Sequence, residues 1–437
     1  MATVEDDFRI RATLPTIRWL TEHGARVTVI THLGRPKGRV NPAFSVEPLR
    51  PVLERLAPGV ELEENLRFDP GEEANDPAFV DKLVAGFDAY VNDAFGTTHR
   101  EHASVVGPPS RLPSAAGRLL EREVRVIGDL LDEPDRPFVA LVGGAKLSDK
   151  LAVLRRLLDK VDKLVVGGGM AFTFLRALGH KTGSSLMELS KIEESRELLE
   201  AAGDRLVLPV DIVALSPGGE IGCGSAGSGD VQVTGVDIPI GWKGLDIGPE
   251  TRKLFAQALE GAKTVLWNGP MGAFEDPRFA SGTKAVAEAV AAVGTKSETA
   301  SPGSAVSVGS AVSVGSAGSV AMTIVGGGDS VAALEDLGLT DEVGFVSTGG
   351  GATLELIELG DLPGLKALRA ASNAPKARGR AAGDAGLVGD NARLGDDAGL
   401  VGDNAEDLSM SGSARSSTSR VVSSRVGSPR RRSARHK

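Results

Sequence analysis

Two lysines that follow an apolar run are placed where they could hold a phosphate group. In the segment FVALVGGAKLSDK (138–150), a glycine pair follows the apolar run, and Lys146 and Lys150 are four residues apart. We interpret the run as a buried parallel strand that turns into a helix, so that both ammonium groups lie on one side of the helix start. Free backbone N–H groups at such a start also favour an anion. A solvated helix face is the simpler alternative for the two lysines.

Neither of two common glycine-rich phosphate-binding motifs is present here. A Walker A loop requires Ser or Thr after its lysine, whereas Leu147 follows Lys146. The glycines at 167–169 do not form a dinucleotide fingerprint, because Phe172 occupies the position of the third glycine. An anion site in this region would therefore be of another kind.

A second set of basic residues lies in the first third of the chain, at the ends of separate apolar runs. These residues are Arg9, His32, Arg35, Arg67, His99 and Arg100. Arginine binds phosphate and carboxylate oxygens with two N–H groups and stays charged, and histidine can add a neutral or charged donor. Each of them alone would be read as a surface residue, but together they predict a site for a polyanion.

The later part of the chain combines glycine-rich segments with a different set of polar residues. They are Lys146, Lys150, Asn268, Glu275 and Asp329. Glycines at strand ends let a ligand approach the backbone closely. This half of the chain therefore looks suited to a nucleotide.

A repeated strand–turn–helix pattern must position both sets. Apolar runs that end in Gly, Pro or a polar residue occur at 27–36, 87–96, 138–146, 163–172, 206–211, 264–272, 322–330 and 344–352. Amphipathic stretches such as 151–161 and 249–262 lie between them. The alternation predicts an α/β fold with parallel sheets covered by helices on both faces, in which the chemistry gathers at the carboxyl ends of the strands.

Composition narrows the class of protein. The 437 residues suffice for two or three domains, and 41% hydrophobic and 24% charged residues are typical of globular proteins. The net charge of -9 argues against a general nucleic-acid binder, and the single Cys223 excludes an intramolecular disulfide. The acidic start and the lack of a long apolar segment predict a cytoplasmic protein without a membrane partner.

Ten motifs occur in one order between residues 9 and 365, and together they resemble the 3-phosphoglycerate kinase family. They are HLGRP, ENLRF, NDAFGTTHR, GGAKLSDK, GGGMAFTF, LPVD, GWKGLDIGPET, WNGPMGAFE, GGGDS and STGGGA. The resemblance implies a glycolytic and gluconeogenic enzyme that transfers a phosphoryl group between 1,3-bisphosphoglycerate and MgADP, giving 3-phosphoglycerate and MgATP. Such a transfer needs mainly positioning and positive charge.

The resemblance also implies roles for individual residues. Lys146 and Arg9 would act on the transferring group, and Asp329 would hold Mg²⁺. The glycerate would be bound by Arg9, His32, Arg35, Arg67, His99 and Arg100. The nucleotide, ATP or ADP, would be bound by Lys150, Gly168, Asn268, Glu275, Gly327, Gly328, Asp329 and Ser330.

The family fold has two Rossmann-like parallel-sheet domains, flanked by helices and joined by a hinge helix about which the lobes close, and it implies a monomer. The resemblance places the substrate domain at 1–120, the connecting helix at 121–136, the nucleotide domain at 137–346 and a return segment at 347–369. Composition adds a low-complexity insertion at 297–320 and a disordered tail at 370–437.

One departure from the family pattern leaves alternatives open. Relatives open with a strand that reads like RVDxNVP, whereas this sequence starts beyond it. A parallel sheet without an inner strand would leave backbone groups unpaired. Either the true start lies upstream, or the chain is impaired. One alternative function is therefore a truncated, non-catalytic relative that retains nucleotide binding. The other is an interaction protein whose basic end, 411–437, contacts nucleic acid.

Overall fold

The structure is a computed structural model that describes residues 7–294 and 321–373, together with the backbone of 420–427. The chain forms two compact units: the first contains residues up to Glu121 and from Asp361 onward, and the second runs from Arg122 to Gly360. The predicted insertion at 297–320 lies outside the described residues, as do 374–419 and 428–437. Within the described parts, no helix has the length and apolar character needed to span a membrane.

Helices and strands alternate along most of the described chain. The helices are α1 (Phe8–Glu22), α2 (Arg50–Leu56), α3 (Pro70–Ala74), α4 (Pro77–Val84), α5 (Ala103–Val106), α6 (Arg118–Asp132), α7 (Leu151–Leu158), α8 (Ala171–Ala177), α9 (Ile192–Ala202), α10 (Pro249–Ala258), α11 (Ser281–Gly294), α12 (Gly328–Leu337), α13 (Gly351–Leu359) and α14 (Pro363–Asn373). The strands are β1 (Arg26–Leu33), β2 (Glu61–Leu62), β3 (Ala89–Asn92), β4 (Ser114–Ala116), β5 (Phe138–Val142), β6 (Lys163–Val166), β7 (Leu206–Val207), β8 (Asp211–Leu215), β9 (Val231–Gly235), β10 (Lys243–Ile247), β11 (Thr264–Asn268), β12 (Met322–Gly326), β13 (Phe345–Val346) and β14 (Arg420–Gly427). The predicted α/β class is confirmed.

The first unit has a parallel five-stranded sheet in the order β2-β1-β14-β3-β4. Alternate residues of β1 face opposite sides, and both sides are buried. Val29 packs in a cluster with Ile17 of α1, whereas Ile30 packs with Phe79 of α4 and Tyr90 of β3. Burial of both faces explains why β1 is a nearly continuous apolar run.

One strand of this sheet was not predicted from the sequence. β14 comes from the segment that composition predicts to be disordered, and it lies between β1 and β3. This is the inner position that the sequence analysis expected to lack a strand.

The second unit has a parallel six-stranded sheet in the order β13-β12-β11-β5-β6-β7. Its central strands are wholly buried, and Trp267 of β11 and Phe255 of α10 lie in one core cluster with Leu141 of β5. The carboxyl ends of three neighbouring strands align, because Asn268 pairs with both Val142 and Gly326. A separate antiparallel sheet, β10-β8-β9, was not predicted.

Two local predictions need correction. The segment from Gly143 to Lys150 is not helical, since α7 begins at Leu151 and Lys150 is its N-cap residue. The two lysines therefore do not share a helix face. The connecting helix α6 begins earlier than predicted, at Arg118, where Asp93 Oδ1 accepts the N–H groups of Leu119 (2.9 Å) and Leu120 (3.2 Å). The buried carboxylate thus caps the helix start.

Candidate functional site

The first unit brings its predicted basic residues together around the ends of β1 and β3. Arg67 organises this region, because its Nη1 donates to the carbonyl of Gly34 at 2.8 Å, in the turn that follows β1. Its Nε lies 3.3 Å from Glu73 Oε1. Burial and the nearby guanidinium groups of Arg35 and Arg100 lower the pKa of Arg67, and Glu73 opposes that shift. Like charges are thus held close together in this cluster.

His32 lies at the end of β1 and is buried. Burial lowers the pKa of His32 to about 3, and the positive charges of Arg67, Arg9 and Arg100 add to this effect. Its imidazole is therefore neutral at neutral pH. The influence of Arg9 also shows that α1 brings this arginine within electrostatic range of the end of β1.

His99 shares this environment. Burial, with the charge of Arg100, lowers the pKa of His99 to about 4. Its Nδ1 is buried and has no hydrogen-bond partner among the described residues. Arg35 and Arg100 are exposed. The cluster therefore offers an unsatisfied imidazole nitrogen and exposed guanidinium groups in the same region.

Sequence reasoning missed two members of this cluster. His102 Nδ1 lies 3.8 Å from Glu72 Oε1, and Glu72 is 1% exposed. The Glu72 carboxylate accepts hydrogen bonds from Ser104 N (3.0 Å) and Ser104 Oγ (2.6 Å). The position of His102, two residues after Arg100, could have indicated that it belongs to the cluster. Nothing in the sequence indicated its contact with Glu72, which depends on the fold.

Lys150 is the centre of the site in the second unit. Its Nζ donates to the carbonyl of Gly143 at 2.7 Å and to Asn268 Oδ1 at 2.9 Å. Burial lowers the pKa of Lys150 to about 8, and the carboxylate of Asp329 opposes this shift. The ammonium group thus links the ends of β5 and β11 and lies near the start of α12.

Asn268 has a free donor beside this lysine. The residue is 2% exposed, and its Nδ2 has no hydrogen-bond partner among the described residues. A Cβ built on Gly326 would lie 3.2 Å from this nitrogen, and one built on Gly327 would lie 3.5 Å from it. The Nδ2 group therefore faces the glycine turn that leads into α12, where an acceptor oxygen could satisfy it.

The glycine turns of this unit pack backbone against backbone. Gly168 has φ +71°, and a Cβ there would lie 2.7 Å from both N and O of Gly144. A Cβ on Gly143 would lie only 2.1 Å from the carbonyl oxygen of Pro270. Only glycine allows these three loops to approach so closely.

The start of α12 is fixed to the end of β11. Ser330 Oγ accepts the N–H of Gly269 at 2.7 Å, and Ser330 is fully buried. Gly327 has φ +93°, and Gly328 and Asp329 in the first turn are exposed. One accessible carboxylate therefore lies in the first turn of this helix, where backbone N–H groups have no partner within the helix itself.

Lys146 and Glu275 are less tightly placed. Lys146 is exposed, and its charge helps to lower the pKa of Glu188. The Glu275 side chain is exposed in the loop after β11, and the Glu275 carbonyl accepts the N–H of Gly224 at 2.8 Å. No described hydrogen bond or ion pair joins the Glu275 carboxylate to Lys150. The structure therefore brings Lys150, Asn268 and Asp329 together. The side chains of Lys146 and Glu275 have no described contact with these three residues.

A buried carboxyl fixes the segment that leads into α13. Glu123 of α6 accepts hydrogen bonds from Ser347 Oγ (2.8 Å), Thr348 N (2.6 Å) and Thr348 Oγ1 (2.8 Å). Burial raises the pKa of Glu123 to about 7, although these donors lower it. The sequence predicted a return segment that begins at residue 347, but not its partner Glu123, which is 224 positions away from Ser347.

Comparison with known proteins identifies the family. The family model described as phosphoglycerate kinase matches residues 1–63, 57–314 and 304–359. The phosphoglycerate kinases of Rubrobacter xylanophilus and Moorella thermoacetica are 47% and 46% identical to this chain, over 84% of it and 91% and 92% of their own lengths. The structure of phosphoglycerate kinase from Coxiella burnetii matches with a TM-score of 0.67 and 36% identity, over 84% of this chain and 91% of that one. The chain belongs to the phosphoglycerate kinase family.

Proposed function

We propose that this chain catalyses the reversible transfer of a phosphoryl group from the acyl phosphate of 1,3-bisphosphoglycerate to ADP, giving 3-phosphoglycerate and ATP. It is then a phosphotransferase with a carboxyl group as acceptor. The observation that carries the proposal is the contact of Lys150 with Asn268, close to Asp329. It places a buried cation, a free amide donor and a carboxylate at the ends of three adjacent parallel strands.

The basic cluster of the first unit supports glycerate binding. Exposed guanidinium groups can bind a carboxylate or a phosphate through two hydrogen bonds each. We assign this role to Arg9, His32, Arg35, Arg67, His99 and Arg100, and we add His102. Because the low pKa values keep His32 and His99 neutral, the arginines supply the charge and the imidazoles supply hydrogen-bond donors.

The second unit supports nucleotide binding. Lys150 and Asn268 Nδ2 can donate to phosphate oxygens, and Gly327, Gly328, Asp329 and Ser330 form the start of α12, a place in a helix that favours an anion. Gly168 and Gly327 keep side chains away from the loops that face the ligand, and we assign the ribose contact to Glu275. Together these groups suit ATP or ADP.

The residues present also fit Mg²⁺. This cation is commonly held by one or two protein carboxylates together with substrate phosphates, so one exposed carboxylate beside phosphate-binding groups is sufficient. Asp329 would hold the ion, and Mg²⁺ would neutralise phosphate charge during transfer.

Lys146 and Arg9 are the residues that we assign to the transferring group. Phosphoryl transfer needs cations that act on the three equatorial oxygens in the transition state. Lys146 suits this role because its ammonium group is exposed and is not among the groups that hold the loops together. Lys150, by contrast, is fixed by three acceptor contacts.

A coupled assay tests the proposal. The full chain is mixed with 3-phosphoglycerate and MgATP, and 1,3-bisphosphoglycerate is detected by its NADH-dependent reduction. We expect NADH oxidation that needs both substrates, and no rate when 2-phosphoglycerate replaces 3-phosphoglycerate. Micromolar ADP binding by calorimetry without turnover would reject the enzyme and leave a nucleotide-binding relative.

We further infer a cytoplasmic monomer, since membership of the phosphoglycerate kinase family implies a monomer and the acidic first residues and single cysteine suit the cytoplasm. Light scattering at increasing protein concentration tests the monomer. A mass that doubles with concentration would reject it.

A further inference from the structure

The sheet of the first unit contains an inner position that a distant segment occupies. Residues 420–427 of β14 pair in parallel with 26–33 of β1, and residues 421–424 pair with 89–92 of β3. Neighbouring strands lie about 4.8 Å apart, so β1 and β3 are separated by about twice that distance and do not pair with each other. The position between them is a slot for one strand.

The slot requires an occupant for physical reasons. Val27, Val29 and Ile30 of β1 are buried, as are Tyr90 and Val91 of β3. The backbone N–H and C=O groups of both strands that face the slot would be buried without partners if it were empty. Buried backbone groups without partners destabilise a fold, so the slot favours a segment that can pair with both strands.

The segment RVVSSRVG (420–427) has the character of an inner strand. It contains three β-branched valines, no proline and no acidic residue. The repeats GLVGDNA that precede it carry Asp, Asn and Gly, which strands disfavour. Between Asn373 and Arg420 the chain has 46 residues, so its length readily allows the return.

The register links this strand to the basic cluster. Val426 of β14 pairs with His32, and Ser424 pairs with Asn92 at the end of β3. The α1 helix and the turn at Phe95–Thr97 lie beside β14 as well. The position of β14 therefore sets the spacing between the ends of β1 and β3. His32 and Arg35 lie at and just after the end of β1, and His99 and Arg100 follow β3.

We propose that the slot between β1 and β3 is a strand-binding site, and that its occupant is this chain's own segment Arg420–Gly427. The segment is joined to the rest of the first unit by many residues rather than by a tight turn. Its docking is therefore a separate equilibrium from the folding of the rest of that unit. Docking completes the sheet and fixes the ends of β1 and β3, whatever reaction the chain catalyses.

Hydrogen exchange of the full chain provides the main test. We compare it with a chain that ends at residue 410 and with the full-length variant Val422→Pro, which removes one ladder N–H from the strand. Amides of β1 and β3 should exchange at least about 100-fold faster in both variants, while those of β5 and β11 stay unchanged. Ser411→Pro, outside the strand, is the matched control and should behave like the unaltered chain.

A peptide experiment separates this proposal from a general loss of folding. The peptide of residues 420–427 added to the shortened chain should restore protection of β1 and β3, and a scrambled peptide should not. Unchanged protection in the shortened chain, or no rescue by the peptide, would overturn the proposal. A full-length dimer in which the strand enters the partner copy would overturn the choice of occupant. All these readouts are independent of catalytic activity.

Discussion

The ammonium group of Lys150 lies 2.9 Å from Asn268 Oδ1, although the two residues are 118 positions apart in the chain. The contact joins the ends of β5 and β11, which are adjacent in the sheet. It also uses the amide oxygen of Asn268, so that the amide nitrogen remains available. The pair therefore organises the second unit's candidate site before a ligand arrives.

The pKa of Lys150 predicts a pH dependence of nucleotide binding. Its value of about 8, below the ordinary 10.5, means that the folded chain loses this proton at a lower pH than the unfolded chain. Between these values the unfolded state binds more protons, so this group's contribution to the free energy of unfolding rises with pH. Nucleotide affinity should instead fall by about 25-fold from about pH 7.5 to about pH 9.5, because the ligand needs the charged form.

Calorimetric titration with ADP across this pH range checks the expectation. Lys150→Met should bind ADP weakly at every pH and should show a flatter profile. The same decline in both proteins would show that another group is responsible.

Replacement of Lys146 should separate catalysis from binding. Because Lys146 is exposed and lies outside the Lys150–Asn268 contact, Lys146→Ala should lower kcat by about 100-fold or more and change the Kd for ADP by less than about threefold. Steady-state kinetics and calorimetry measure the two effects. Lys163→Ala, at the amino end of β6, is the control and should alter neither. Equal losses of kcat and affinity would remove the assigned role.

Gly168 should tolerate alanine poorly. Its φ of +71° and the 2.7 Å approach of a Cβ to Gly144 force both strain and a shift of the backbone. We expect Gly168→Ala to lower the free energy of unfolding of the second unit by about 2–4 kcal/mol. Gly179, with φ +94° and nothing within 4 Å of a built Cβ, is a matched control. Gly179→Ala should cost about 1 kcal/mol. Urea unfolding gives both values, and equal costs would contradict the role of close packing.

Arg67 should not be replaceable by lysine. Its Nη1 donates to the Gly34 carbonyl, while the other nitrogens of the guanidinium group lie in the basic cluster. The single ammonium group of lysine cannot hold this carbonyl and also bind an anion through two N–H groups. Arg67→Lys should raise the KM for 3-phosphoglycerate by about tenfold and leave the KM for ATP unchanged. Arg26→Lys is the control, since Arg26 is exposed and pairs only with Glu61 in the described contacts. A change in the KM for ATP of the same size would argue for a global effect.

Much of the fold could be predicted because its strands and helices have local signatures. The apolar runs that end in glycine or a polar residue became β1, β3, β5, β11 and β12. The resemblance to the family, confirmed by the comparisons, rested on motifs such as HLGRP and GGGDS at the ends of these strands. The role of each predicted site residue stays a proposal that the variants above test.

Residue type and hydrophobic period are local properties, so they were sufficient to establish the α/β class, the two sets of charged residues and the family. The non-helical turn that gives Lys146 and Lys150 different environments, and the contact of His102 with Glu72, became visible only in the folded chain. The pairing of 420–427 with β1 and β3 did so as well. Burial, pKa and strand pairing depend on groups far apart in the chain, and no local pattern records which of them will meet.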